Sequence, residues 1–217
     1  PDGTVRTVLT GRFIGGQAVE PGAPQPAVGF RIPNPTGVAA GPGGVVHLIS
    51  SDSNQLLRFT PGADGGRIEA LAGRHRPEAG EVFSPSGYLD RDEADPKGVL
   101  GFPLGVALDA AGRPHVAEFA AGRVVRVDEG PAGTTRLTRV AGRSMAEMLA
   151  EGTRVSDGGA PAEGNGGPAT ATNLVFPTAV AFGPDGAMFV AEAGTIHVSA
   201  LGGIGGGGSG DAAAAFG

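Results

Sequence analysis

The chain reads as all-β, built from repeated units of four short antiparallel strands. Three observations carry that reading. Gly supplies 41 and Pro 18 of the 217 residues, more than helical bundles or coiled coils hold inside their elements. One phrase, a Pro followed by a short apolar run, a Gly turn and a second apolar run, occurs three times. Hydrophobic residues make up 40% and charged residues 18% of the chain, a composition that buries a core rather than staying unfolded.

The first copy is Ile32-Pro33-Asn34-Pro35-Thr36-Gly37-Val38-Ala39, resuming at Gly43 and ending His47-Leu48-Ile49-Ser50. The second is Leu100-Gly101-Phe102-Pro103-Leu104-Gly105-Val106-Ala107-Leu108, a turn at Gly112, then His115-Val116-Ala117-Glu118. The third is Leu174-Val175-Phe176-Pro177-Thr178-Ala179-Val180-Ala181-Phe182, a turn at Asp185-Gly186, then Phe189-Val190-Ala191-Glu192. Pro35, Pro103 and Pro177 align without a gap through Ser50, Glu118 and Glu192, and the same register runs on to Arg58, Arg126 and Ala200.

Each unit opens on Pro, which starts a strand but does not sit inside one. The apolar run after it, as in Gly105–Leu108, suggests a strand buried on both faces. Gly-rich turns such as Gly183-Pro184-Asp185-Gly186 supply the positive φ of a tight hairpin. A second strand (115–118), a third (123–127) and a fourth (67–71 and 135–140) complete the unit, the fourth ending in Ala72-Gly73 and Ala141-Gly142. Four such strands, repeated, are the blades of a β-propeller, and a single blade needs neighbours to bury its faces. The expected layout is a partial propeller over 1–201, with a leading strand at 4–9 belonging to a preceding blade. Blades follow at about 32–73, 100–142 and 174–201, and 202–217 is a Gly/Ala-rich tail or the start of the next inter-blade loop. Long connections run over 74–99 and 143–173. The second carries Ser144-Met145-Ala146-Glu147, a capping-box pattern that predicts one short helix at 144–151.

Pro103, Gly105-Val106-Ala107, Gly112, Val116-Ala117-Glu118 and Gly122-Arg123-Val124 resemble the repeat of NHL-type β-propellers. Gly164-Asn165-Gly166-Gly167-Pro168-Ala169-Thr170-Ala171 is similar to the Gly-Asp-Gly-Gly-Pro-Ala-Thr phrase between blades of bacterial members. Glu118 and Glu192 stand where that family has Asp, and Ser50 lacks the acid. The turn Arg survives as Arg123, with Gln55 and His197 at its counterparts. The resemblance implies a ring of about six blades, of which this chain holds about three. It also implies a bacterial, extracellular or cell-surface setting within a larger protein.

The composition excludes several functions. Acidic residues number 22 against 16 Lys and Arg, for a net charge of −6, so there is no basic face for nucleic acid. No apolar run approaches the ~18 residues of a membrane helix. The absence of Cys excludes disulfides, thiolate zinc sites and Cys nucleophiles. The Gly-rich runs lack a phosphate-loop Lys, and no nucleophile elbow is present. With no Trp and one Tyr, stacking platforms for sugars or single strands are poor.

The polar residues that stand out have structural readings. Glu118 and Arg123 flank a hairpin turn and are expected to brace it, an ion pair worth about 0–1 kcal/mol if exposed; Glu192–His197 and Ser50–Gln55 are its counterparts. His47 and His115 share one repeat position, occupied by Phe189 in the third unit. That substitution favours packing over a shared metal in a central channel. His75 falls in a loop. Asp90, Asp92 and Asp95 have part of the spacing of a Ca²⁺ loop but lack its Gly and distal Glu, so a solvated connection is expected. No catalytic, cofactor-binding or metal residue is assigned. The reading is a non-catalytic scaffold whose blade-connecting loops bind a protein or other ligand, with no nucleic acid and no membrane insertion. Two alternatives stand beside it. One is a lactonase- or lyase-like propeller enzyme with a metal in the channel, toward which the inner strands offer Asp109 and little else polar. The other is a structural protein that self-associates, completing its ring or pairing open strand edges between chains.

Overall fold

Pro35, Pro103 and Pro177 each begin the first strand of a separate antiparallel sheet. The computed structural model describes residues 7–12, 18–20, 22–73, 99–131, 134–143, 167–174, 176–193 and 195–199. The short strands that precede the first sheet are β1 (Thr10–Arg12), β2 (Gln25–Pro26) and β3 (Arg31–Pro33). The first sheet proper is β4 (Pro35–Ala40), β5 (Val46–Ser50), β6 (Gln55–Thr60) and β7 (Arg67–Ala72). The second is β8 (Pro103–Leu108), β9 (Pro114–Glu118), β10 (Arg123–Glu129) and β11 (Thr135–Ala141). The third comprises β12 (Pro177–Phe182), β13 (Met188–Glu192) and β14 (Thr195–Ser199). Each of these three sheets is a simple meander, and β2 adds a fifth strand outside β7 in the first.

The repeated phrase folds the same way each time. Asn34, Phe102 and Phe176, which precede the three prolines, have φ of 39°, 48° and 54°. This left-handed corner is disfavoured for a bulky residue and for any residue before Pro. It turns each carbonyl to accept a backbone N–H from just beyond the second strand: Ser51 to Asn34 at 3.2 Å, Phe119 to Phe102 at 3.1 Å and Ala193 to Phe176 at 3.2 Å. A bulge follows in every unit, between Pro35 and Gly37, Pro103 and Gly105, and Pro177 and Ala179. Pro has no N–H to give the ladder, so the chain skips a residue there.

The bulge brings neighbouring sheets together. A Cβ added at Gly37 would lie 2.8 Å from the Leu104 carbonyl oxygen, and one at Gly105 would lie 2.7 Å from that of Thr178. First strands of successive sheets thus touch backbone to backbone, which only Gly permits. The sheets are blades packed face to face, and the chain is a partial β-propeller. Between the first and second blades, Ile49, Leu56 and Leu71 pack against Leu100, Val106, Val116, Val125 and Leu137. Between the second and third, Ala117, Val124 and Ala141 meet Leu174, Val180, Met188 and Val190. Each fully buried Leu, Ile or Met contributes roughly 1.5–3 kcal/mol.

The N-terminal region departs from expectation. Among the described residues of the predicted leading strand, 7–9 are not in a strand, and β1 begins at Thr10. β1 pairs in parallel with β3 rather than in a blade meander. The free face of the first blade is instead covered by Val19, Ala27 and Ile32, packed on Leu57, Phe59 and Ile68. The physical reason is burial: those blade residues need a cover, and this segment supplies apolar side chains in reach. β4 also differs from the doubly buried strand its apolar run suggested, since Val38 is 66% exposed. The helix expected at 144–151 and most of the two long connections lie outside the described residues.

Gly105→Ala places its Cβ 2.7 Å from the Thr178 oxygen and 2.8 Å from the Ala179 Cα, both backbone atoms. It is expected to destabilise the domain by about 1–3 kcal/mol, read as a lower urea midpoint. An unchanged midpoint would mean that the blades are not in backbone contact.

Candidate functional site

Glu118 closes β9 at the register position opposite Pro103 on one side and Arg123 on the other. Its two oxygens accept from the Gly101 N–H at 2.7 Å and from Arg123 Nε at 2.6 Å. The pair braces the turn as its spacing predicts, and its side chains are 0% and 5% exposed. Burial makes it a structural anchor, because removing one partner of such a pair costs about 3–5 kcal/mol. In the first blade the counterparts are neutral. Ser50 donates to the Pro33 carbonyl at 2.6 Å. Gln55 donates to the Val19 carbonyl at 2.6 Å and accepts the Val19 N–H at 3.1 Å. The substitution of Gln for Arg therefore holds the covering N-terminal segment in place. The third-unit counterpart does not hold as aligned. Only positions 193 and 194 separate β13 from β14, so Thr195 lies opposite Glu192 and His197 opposite Val190. The shorter turn ends the sequence register that ran to Ala200.

The left-handed corners lie at one end of the blades and bring phenylalanine side chains together. Phe119, in the β9–β10 turn, stacks on Phe176 with ring centroids 4.7 Å apart and meets Phe102 edge-on at 5.9 Å. Phe102 is 40% exposed. Its N–H donates to Asn54 Oδ1 at 3.0 Å, which ties the corner of one blade to the turn of the previous one. The first unit has Asn34 in place of Phe, and its amide donates to Asp52 at 3.0 Å. This end is therefore a rim with an aromatic half and an amide–carboxylate half. The three Phe residues are far apart in sequence, and the positive φ that places two of them had no signal in composition or spacing.

The histidines sit at two different blade junctions, not in a shared channel. His47 lies between the first and second blades, in a cleft with Leu108 and Arg58. His115 lies between the second and third, edge-on to Phe182 with centroids 4.7 Å apart. Burial lowers the pKa of both. At His47 the Arg58 charge adds to this against Glu129; at His115 the Arg113 carbonyl and Asp109 oppose it. Asp109, the polar residue of the inner strands, is held by its own turn. It accepts the Ala111 and Arg113 N–H groups at 2.9 Å and Arg113 Nε at 2.8 Å. Burial works against its charge, but these Arg113 contacts outweigh it and hold its pKa low. Asp90, Asp92, Asp95 and His75 lie outside the described residues.

No protein-family model matches the chain, and a comparison with curated proteins also finds no match. Solved structures do resemble it. A gluconolactonase from Xanthomonas campestris is 14% identical over 72% of this chain and 34% of its own, with a TM-score of 0.39. An auxiliary nutrient binding protein from Bacteroides thetaiotaomicron is 12% identical over 70% and 33%, with a TM-score of 0.45. Regucalcin, a calcium-binding protein from Agrobacterium tumefaciens, is 19% identical over 73% and 38%, with a TM-score of 0.38. The chain thus spans about a third of the length of these structures.

Both buried imidazoles bind a proton less readily folded than unfolded. As pH falls below about 6.5, the ordinary imidazole value, the unfolded chain takes up protons first and stability drops. The lowered carboxyls of Asp109 and Asp128 act in the same direction, but only near the ordinary Asp value of about 3.9. Among the described residues, the slope of stability between about pH 5 and 7 therefore comes from His47 and His115. His115→Phe, which installs the residue the third blade carries there, is expected to flatten that slope in urea titrations at several pH values. An unaltered slope would assign it elsewhere.

Proposed function

We propose that this chain is part of an NHL-like β-propeller acting as a non-catalytic binding domain, with the phenylalanine rim as its contact surface. One observation carries the reading: the chain holds Phe102 and Phe176 at φ of 48° and 54°, at an expense of roughly 1–2 kcal/mol each, and leaves Phe102 40% exposed. The corner itself serves the fold, since Asn34 takes it too; what the second and third units add is a Phe placed on it, one of them partly exposed. Exposed aromatic groups are effective anchors for protein or ligand contacts. Asp109 is engaged by its own turn, which supports binding rather than channel chemistry.

Phe102→Asn places at this corner the residue the first unit already has there. It is expected to cost less than about 1 kcal/mol, because relief of backbone strain offsets the lost ring contact; a buried core Phe would cost about 3–5 kcal/mol. A photo-reactive benzoylphenylalanine at position 102 should capture a partner that the same group at Val28, an exposed position away from the rim, does not. A loss above about 3 kcal/mol, or equal capture at both positions, would sink the reading.

A second reading rests on the third blade. His47 and His115 face the next blade and are 6% and 2% exposed, whereas Phe189 at the same repeat position is 38% exposed. Ala179, the counterpart of Gly37 and Gly105, is exposed as well. This face is shaped for another blade, supplied by further sequence or by a second copy. Self-association through it predicts that the chain is oligomeric in analytical ultracentrifugation and that Phe189→Arg renders it monomeric. A monomeric unsubstituted chain would overturn that version.

A further inference from the structure

We propose that residues 18–20 and 22–33 are a strap that competes with a second copy of this chain for the first blade's face, the second copy docking head to tail, third blade on first. This rests on the self-association reading of the third blade's open face and names the surface that meets it.

The repeat shows what that surface is. Leu57, Phe59 and Ile68 hold the register positions that Val125, Val127 and Leu137 hold in the second blade. In the second blade those three residues pack on Ile49, Leu56 and Leu71 of the blade before it. In the first blade they pack on Val19, Ala27 and Ile32 instead. The strap thus sits where a preceding blade would sit, but it covers less. Val106 and Val180, the counterparts of Val38, are each 7% exposed beneath the blade before them, whereas Val38 is 66% exposed. The inner part of a blade-docking face is left bare.

The third blade carries the matching surface. Ala179, Ala181 and Phe189 are exposed and Ala191 is half-buried. They stand at the positions of Gly37, Ala39, His47 and Ile49, which face the second blade from the first. None of the four carries a charge, so the patch meets Val38, Leu57, Phe59 and Ile68 apolar to apolar. Ala179 makes this joint weaker than those within the chain. A Cβ at Gly37 or Gly105 would lie 2.8 or 2.7 Å from the next blade's carbonyl oxygen, so the Ala179 methyl holds a docked blade off.

The strap is tied down by neutral hydrogen bonds. Gln55 donates to the Val19 carbonyl at 2.6 Å and accepts the Val19 N–H at 3.1 Å. The Ala27 N–H donates to the Gly66 carbonyl at 3.0 Å, and β2 pairs with β7 at Gln25 and Pro26. Such ties open locally without unfolding the blade beneath. An attached segment nevertheless competes at an effective concentration on the order of millimolar. The strap therefore outcompetes a second copy at lower concentration, and loosening it admits the copy.

The test is sedimentation velocity of the full chain over a concentration series, with and without Gln55→Ala, which removes both bonds to Val19. Val19→Ser loosens the strap with every blade residue in place. Faster trypsin cleavage after Arg31, an exposed strap residue, reports the loosening in either variant. The unsubstituted chain is expected to associate weakly, and either variant to associate at least tenfold more tightly. Val38→Arg and Phe189→Arg, both at exposed positions, are each expected to abolish that gain. A loosened strap with association unchanged overturns the proposal. So does a gain that survives Val38→Arg, which would put the second copy on another face. If no form associates at any concentration, the self-association reading falls as well; if all forms associate equally, only the strap falls.

Discussion

The left-handed corner before each proline is the constraint on which the rest of the structure depends. With φ between 39° and 54° at Asn34, Phe102 and Phe176, the carbonyl turns back to accept the N–H that ends the neighbouring hairpin strand. Pro cannot join the ladder, so a bulge follows, and the bulged residue pushes its carbonyl against the Gly of the preceding blade. Corner, bulge and Gly thus form one mechanical unit. It fixes the spacing of the blades from their inner strands, and the apolar faces outside then close on one another.

That unit is constant, while the polar residues hung on it vary, and the variation separates the junctions. The buried Glu118–Arg123 pair anchors the second blade to its own entry strand through the Gly101 N–H. In the first blade the same two positions hold Ser50 and Gln55, and Gln55 uses both halves of its amide to bind Val19. A side chain that closed a hairpin in one blade here holds a covering segment in another. Leu108 and Phe182 differ in the same manner, one leaving a space beside its histidine and the other filling it.

The blades were legible in the sequence because their signals are local. Pro at a strand start, Gly at a turn and short apolar runs act within a few residues, so a sheet of antiparallel strands can be read from one unit at a time. The Glu118–Arg123 contact was also legible, since four turn residues place the two opposite each other; its burial was not, because burial depends on the neighbouring blade. The pairing of Glu192 with Thr195 rather than His197 was missed, as a two-position turn shifts register without altering the surrounding phrase. The path of residues 18–33 over the first blade was missed for the same reason: its apolar residues have no period of their own, and only the uncovered face they meet defines their place.

By itself, then, the sequence determined the all-β class, the repeated Pro-led phrase and the acidic, cysteine-free composition, all of which follow from short-range backbone chemistry and composition. The tertiary structure alone decided which histidine is enclosed by a ring and which faces a cleft, which phenylalanines meet across blades, and which blade face remains exposed. Those outcomes depend on side chains brought together from different units, and packing between units leaves no spacing pattern within any one of them.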